Sequence, residues 1–269
     1  MSEDCDTSIA ARKPLDVSLR KWNLRRLAIL LVLFAVPHPA SGTDLHEAVR
    51  QGDVAAVDTL LADHVDVNET DFFVGPPLHL AIIEGHVAIA EALIAAGADL
   101  EAEGEIGGDR PIHTAARMDQ PEMIRVLLVQ GAEPEAKNTN GQTALIVAAV
   151  NDSRNAVKAL LDQGVRLEGK DAFKGQTALL HASFSGRVEV VSLLLTHGAD
   201  INARDDSEQA TALHLAVGGG ARHDLIELLV AEGADLTARD HAGTTPLQWA
   251  NQYALPETSE LLRSLGAQE

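Results

Sequence analysis

Apolar residues along this chain come in paired short blocks parted by polar turns. One cycle reads in full between residues 177 and 204. Thr177 precedes Leu179, Ala182 and Ser183, and Ser185-Gly186 interrupts the run. Val188, Val190, Val191, Leu193, Leu194 and Leu195 follow, and Gly198 closes the block. Threonine caps a helix well, because its hydroxyl accepts a free amide of the first turn. The spacing of the second block buries one helical face. Glycine suits the left-handed residue that ends a helix. The pattern therefore predicts a short helix, a tight turn, a second helix with one apolar face, and a polar segment leading outward into a turn.

The cycle recurs seven times. Thr43-Asp44-Leu45-His46 opens the first copy, and it returns as Pro76-Pro77-Leu78-His79, Arg110-Pro111-Ile112-His113, Thr143-Ala144-Leu145-Ile146, Thr177-Ala178-Leu179-Leu180, Thr211-Ala212-Leu213-His214 and Thr245-Pro246-Leu247-Gln248. The steps are 33, 34, 33, 34, 34 and 34 residues. Proline takes the second place at 77, 111 and 246, where a first helical residue tolerates it best. A fixed period of this size means stacked units, each stabilised by its neighbours. Alanine pairs at 115/116 and 148/149 suit helices packed 8–10 Å apart.

Thr177-Ala178-Leu179, Gly186, the run from Val190 to Leu195 and His197-Gly198-Ala199-Asp200-Ile201-Asn202-Ala203-Arg204-Asp205 resemble the ankyrin repeat, as does Thr211-Ala212-Leu213-His214-Leu215-Ala216. The resemblance covers 43–269. It implies an all-α solenoid of helix–turn–helix units with β-turn fingers, and a concave groove of fingers and first helices. Some copies depart from the pattern. Asp119 and Asp152 replace the glycine between the helices. Copies two, four and five carry an extra residue in the following finger, and copy six carries one between its helices at Gly218-Gly219-Gly220-Ala221. The last copy reads as a cap with Thr258, Ser259, Glu260 and Arg263 facing water. Trp249 stands in its core leucine slot, a packing role.

Residues 1–42 lie outside the array. Arg20, Lys21, Arg25 and Arg26 precede the apolar run Leu27 to Val36, and small residues follow to Gly42. That is the layout of a secretory signal peptide. Cleavage after Gly42 is expected, with Ala40 as the rival. The apolar run is too short to span about 30 Å of hydrocarbon. Export is the expectation, to the periplasm in a bacterium, with no stable membrane insertion after cleavage.

The chain carries a net charge of −19; beyond residue 42 there are 15 basic and 36 acidic residues, a balance of −21. Phosphate binding needs clustered Lys and Arg, so nucleic acid is excluded as a partner. The acidity suits a basic protein partner steered by long-range attraction. Only 3% of residues are aromatic, so thin repeats of Ala, Leu, Ile and Val supply the core. Cys5 is the single cysteine, which leaves the repeats without a disulfide or a thiol nucleophile.

The repeat frame frees two sets of positions from packing: finger tips and the ends of first helices. Four phenylalanines fall there: Phe72 and Phe73 on the first finger, Phe173 on the fourth, and Phe184 on the first helix of copy five. Exposed aromatics mark binding hot spots. The two groups lie roughly 30 Å apart at 8–10 Å per unit, the span of a folded partner. Ile83, Glu84, Arg117, Met118, Val150 and Asn151 occupy equivalent helix ends, and Ile106 projects from the long second loop. Glu101, Glu103, Glu105 and Asp109 crowd that loop; clustered carboxylates suit Ca²⁺, but the spacing fits no known loop and the set reads as a solvated acidic face. Asn68-Glu69-Thr70 and Asn151-Asp152-Ser153 match the glycosylation acceptor pattern, which matters only in a eukaryote.

His46, His79, His113 and His214 share the fourth place of the opening motif, where the resemblance implies a hydrogen bond to nearby backbone. One per unit, they stand too far apart to share a zinc ion. His181, His197, His223 and His241 form no close-spaced pair. There is no Gly-rich phosphate loop, no Gly-x-Ser-x-Gly and no His-Glu-x-x-His. The expectation is a monomeric protein-binding scaffold without catalysis, cofactor or metal. Resemblance to exported bacterial ankyrin proteins suggests neutralising a toxin or supporting a partner enzyme; the alternative is a secreted effector acting on host proteins.

Overall fold

A computed structural model describes residues 45–71, 74–105, 107–220 and 222–268. Residues 1–42, with the expected signal peptide, and the candidates Phe72, Phe73 and Ile106 lie outside the described residues. Fourteen helices form seven pairs among the described residues: α1 (Leu45–Gln51) with α2 (Val54–Ala62), α3 (Pro77–Glu84) with α4 (Val87–Ala95), α5 (Pro111–Arg117) with α6 (Pro121–Val129), α7 (Ala144–Asn151) with α8 (Arg154–Asp162), α9 (Ala178–Phe184) with α10 (Val188–Thr196), α11 (Ala212–Gly218) with α12 (His223–Ala231), and α13 (Pro246–Gln252) with α14 (Pro256–Ser264). First helices pack on first helices and second on second, each with the next unit.

Local chemistry starts each pair. Thr143, Thr177 and Thr245 accept from Ile146, Leu180 and Gln248 amides at 3.5, 3.4 and 3.3 Å. Pro77, Pro111 and Pro246 open their helices as expected, and Pro121 and Pro256 do so in second helices. Asp119 and Asp152 adopt left-handed φ values of 56° and 59°, the conformation of the glycines they replace. The Asp119 side chain adds a bond across units: it accepts from the Ala156 amide at 2.8 Å and the Asn155 amide group at 2.9 Å, near the start of α8.

The core is thin. Ala115, Ala116, Ala148 and Ala149 are fully buried between first helices. In α10, Val190, Val191 and Leu194 are fully buried, whereas Val188, Leu193 and Leu195 are half-buried. The closing pair differs from expectation. Glu260 and Arg263 face water, but Thr258 and Ser259 are buried. They occupy the inward places that Val190 and Val191 hold in copy five. Their hydroxyls are satisfied internally, Thr258 by His223 Nε2 at 3.4 Å and Ser259 by Asn251 Oδ1 at 2.8 Å.

Hydrogen bonds tie unit to unit in register. Nε2 of His46, His79, His113 and His214 donates to Gly75, Asp109, Gln142 and Thr244 carbonyls at 3.0, 2.9, 2.9 and 3.0 Å. Nδ1 of His113 and His214 accepts from the Arg110 and Thr211 amides. Gln248 replaces the ring in the last copy and accepts from Thr245 through Oε1 at 2.9 Å. Copy two has Pro76 at the corresponding place, which carries no N–H, and His79 Nδ1 is buried without a partner. A second ladder runs through the connecting segments. Asn68 Oδ1 accepts from the Asp99 amide and Asn202 Oδ1 from the Asp235 amide. Between them Glu101, Glu135 and Glu168 accept from the Glu133, Arg166 and Asp200 amides at 2.8, 2.7 and 3.0 Å. Three acids of the connecting segments are therefore structural.

The fingers close between residues 71 and 75, 104 and 109, 138 and 142, 171 and 176, 205 and 210, and 240 and 244. Those after copies two, four and five are one residue longer, as the sequence indicates. Consecutive fingers join backbone to backbone: Thr139 to Gly107, Ala172 to Asn140, Asp206 to Lys174 and His241 to Glu208. Copy six also carries its extra residue between helices. There the backbone runs against α9, and a Cβ built on Gly219 would sit 1.8 Å from the Phe184 carbonyl oxygen.

Two substitutions test these joints. Gly219→Ala is expected to destabilise the chain by about 2 kcal/mol, the scale of overpacking, seen as a lower midpoint in urea by circular dichroism; an unchanged midpoint would show that α9 and α11 have room to part. Glu135→Leu should cost about 1 kcal/mol, the net worth of one hydrogen bond, by removing the acceptor of the Arg166 amide, while Glu135→Asn, which copies the Asn68 arrangement, should cost less than half of that.

Candidate functional site

Copy five brings its expected residues together. Asp171 begins the fourth finger and is buried. Its Oδ1 accepts from the amides of Phe173, Lys174, Gly175 and Gln176 at 3.1, 2.8, 2.9 and 3.3 Å. Its Oδ2 lies 2.6 Å from His181 Nε2 on α9. Burial by itself would raise the Asp171 carboxyl; the Lys174 amide and the His181 ring outweigh it and hold the group below its ordinary value. Burial lowers the His181 imidazole, and the Asp171 bond offsets only part of that. The finger is thus pinned to the first helix through one carboxylate with both oxygens engaged.

This pin shapes a shallow depression of about 220 Å³ lined by Asp171, Phe173, Lys174, Gln176, His181 and Phe184. Phe173 is 84% exposed at the finger and Phe184 40% exposed at the end of α9. Gln176 Nε2 is turned away to Asp205 at 3.3 Å. Asp171 is spent on the turn and the pin, Lys174 stands at the rim, and the depression presents mainly apolar ring surface. It can hold an apolar side chain.

The other helix-end candidates divide. Ile83 and Met118 are half-buried and Glu84 is exposed, so part of each remains open; Val150 and Asn151 are half-buried. Asn151 Nδ2 bonds the Val147 carbonyl and the Asn68 amide group bridges to Gly97, so both acceptor-pattern asparagines have structural partners. Arg117 does not stand free. Its guanidinium grips the buried Asp109 carboxylate, through Nε at 2.9 Å and through Nη2, and Asp109 Oδ1 accepts from Asn138 Nδ2 at 2.8 Å. That side chain neutralises a buried acid.

The C-terminal copy adds a further open aromatic residue at a helix end. Tyr253 is 40% exposed. It follows Thr245 by eight positions, as Ser185 follows Thr177, so the same repeat frame points to it. Trp249 is half-buried rather than in the core. Its Nε1 donates to Asp240 Oδ2 at 2.7 Å and Thr244 Oγ1 at 3.1 Å, and its ring meets His214 and Tyr253 edge-on at 5.2 and 5.8 Å. Trp249 and Asp240 repeat the His181–Asp171 pin in other chemistry: an indole N–H in place of an imidazole.

The family profile for ankyrin repeats in three copies matches residues 45–138 and 112–205, and that for a single ankyrin repeat matches 208–241. This chain is an ankyrin repeat protein. The solved ankyrin repeat domain of Bcl-3, a member of the IkappaB family, superposes with a TM-score of 0.73 and 32% identity, covering 84% of this chain and 100% of that one. The human ASB11 ankyrin repeat domain gives 0.70 and 28%, covering 84% and 99%. Mouse ankyrin repeat and SOCS box protein 9 is 33% identical over 108 residues, 39% of this chain and 37% of that protein. The Caenorhabditis elegans homolog of transient receptor potential cation channel subfamily A member 1 is 29% identical over 144 residues, 54% of this chain and 11% of the channel. The chain thus spans about a tenth and about a third of these two curated relatives. Ankyrin repeats indicate a protein–protein interaction scaffold, and such scaffolds are typically non-catalytic. No helix among the described residues is long and apolar enough to cross a membrane.

The ankyrin histidines make stability depend on pH. Burial lowers the imidazoles of His79, His113, His181 and His214 below 6.5. The unfolded chain takes up protons near 6.5 while the folded chain resists them, so their contribution is full above that pH and is lost as pH falls below it. The free energy of unfolding from urea titrations should therefore fall between about pH 7 and pH 5. In His113→Gln, which copies Gln248, the slope should be shallower; an equal slope would remove His113 from the cause.

Proposed function

We propose that the face formed by fingers and first helices is a concave groove that holds a basic protein partner, without catalysis. The single observation that carries this reading is the Phe173–Phe184 depression. In a chain so poor in aromatic residues, two are held in the open around one hollow. Neither ring is required by the core, since the finger is fastened by Asp171 and α9 by its buried Ala178, Leu179, Leu180 and Ala182. Phe72 and Phe73 on the first finger supply the second anchor, with Ile83, Glu84 and Met118 between the two. The balance of −21 beyond residue 42 favours a basic partner and gives long-range steering.

The groove acts outside the cytoplasm in this proposal. Residues 1–42 carry a basic stretch, a ten-residue apolar run and a small-residue exit, the order of a cleaved secretory signal. In a bacterium the periplasm is the address, with the chain acting as a monomer.

The test is affinity capture by the full chain in its native host, at low and high salt. The wild type should retain one basic protein, less of it at high salt. Phe173→Ala with Phe184→Ala should weaken capture at least about tenfold, the loss expected of a hot spot, with the helical circular dichroism unchanged. Undiminished capture would overturn the groove assignment. Sequencing the N-terminus of the protein recovered from the periplasm should begin at Thr43; recovery from the cytoplasm with Met1 intact would overturn export.

A further inference from the structure

Two open aromatic residues of the C-terminal half lie at first-helix ends, one unit to either side of a unit whose first helix ends in glycines. Phe184 stands at the end of α9 and Tyr253 at the end of α13, each 40% exposed. The unit between them ends its first helix in Gly218-Gly219-Gly220, all exposed. Gly219 lies directly against the Phe184 carbonyl, and a Cβ on Gly218 would be 3.1 Å from Trp249 Cζ3 and 3.8 Å from Tyr253 Cε2. These glycines therefore pack between the Phe184 backbone on one side and the Trp249 and Tyr253 rings on the other. Any larger residue at 218 would push against the indole, and at 219 against the backbone of α9. What remains is bare backbone flanked by a hollow on one side and an aromatic edge on the other. Two-unit spacing puts the walls about 20 Å apart.

The finger beside this floor, residues 205–210, is acidic at Asp206 and Glu208. Asp206 is paired with Lys170 at 2.6 Å, whereas the Glu208 carboxylate has no ion pair among the described residues. Asp171 and Asp240 are committed to their finger turns, so Glu208 is the carboxylate available to a cation arriving from outside. A floor without side chains admits a peptide backbone at close range. Exposed Tyr and Phe rings accept apolar side chains on their faces and attract Arg or Lys.

We infer that copies five to seven bind one extended, basic segment of the partner. Its first apolar residue seats in the Phe173–Phe184 hollow. Its backbone crosses Gly218 and Gly219 with a Lys or Arg toward Glu208. A second apolar or aromatic residue meets Tyr253 and the edge of Trp249. At about 3.3 Å per extended residue the two anchors are about six residues apart. This rests on the groove reading and adds to it a mode of engagement, a linear segment, and a second wall that the phenylalanines alone do not indicate.

Selection of a displayed random dodecapeptide library on the full chain tests it, followed by fluorescence titration of the enriched peptides in a Trp22→Phe background, where Trp249 is the sole indole. Enriched peptides should be net positive with two apolar residues five to seven apart, and should change Trp249 emission. Tyr253→Ala and Phe184→Ala should each weaken them tenfold or more, and Glu208→Gln three- to tenfold with less salt dependence. Tyr253, Phe184 and Glu208 all lie outside the core, and circular dichroism checks that the variants fold. Peptides sensitive to Phe184→Ala but not to Tyr253→Ala overturn the second wall and leave the groove standing. Peptides insensitive to both overturn the segment and count against the groove as well. No enrichment, or enrichment of acidic peptides, overturns the segment alone if the native partner is still captured through Phe173 and Phe184.

Discussion

A pair of helices seven to nine residues long cannot bury its apolar faces by itself, and every other feature of this protein follows from that. Each unit must complete its core and its hydrogen bonding with the next. Alanine at the contact lets first helices approach. A neutral imidazole then reaches from one opening motif to the carbonyl that ends the following finger. Asn or Glu reaches from one connecting segment to an amide of the next. These bonds are directional, and they fix the rotation between units as well as their distance. Because the contacts are all between neighbours, the scaffold is regular where it must pack and free to vary where it need not.

That division sets where function can reside. Polar groups near the fingers are occupied by the scaffold: Asp171 by four amides and a ring, Asp109 by Arg117 and Asn138, Asp240 by Thr244 and Trp249. The abundant acids thus divide into carboxylates that hold turns and joints, and a smaller set, Glu208 among them, that faces outward. The same logic applies to aromatic residues. Trp249 is tied down by its N–H and serves both the frame and the surface, while Phe173, Phe184 and Tyr253 have no such tie.

Much of this was legible in the residues. The seven openings, the threonine caps, the helix-starting prolines, the longer fingers after copies two, four and five and the pairing of Phe173 with Phe184 around one site all follow from position within the repeat. Two assignments went the other way. Thr258 and Ser259 look like surface residues, yet they stand where neighbouring copies place valine, and position overrides polarity once the hydroxyls find partners. Trp249 stands in a core leucine slot of the repeat, but a finger carboxylate draws its N–H to the edge. Arg117 sits at a surface position of the frame, and its pairing with the buried Asp109 is something the repeat pattern does not show.

The sequence by itself determined the fold class, the register of the units, the ankyrin family and the surface on which free side chains collect, because each of these depends on local pattern repeated at a fixed interval. Only the tertiary structure decided which surface side chains are free. Whether an arginine is engaged and whether a glycine run packs on its neighbours are set by atoms about 8 to 35 residues away along the chain. Stacking brings such residues within a few ångströms, and no periodicity within one unit carries that information.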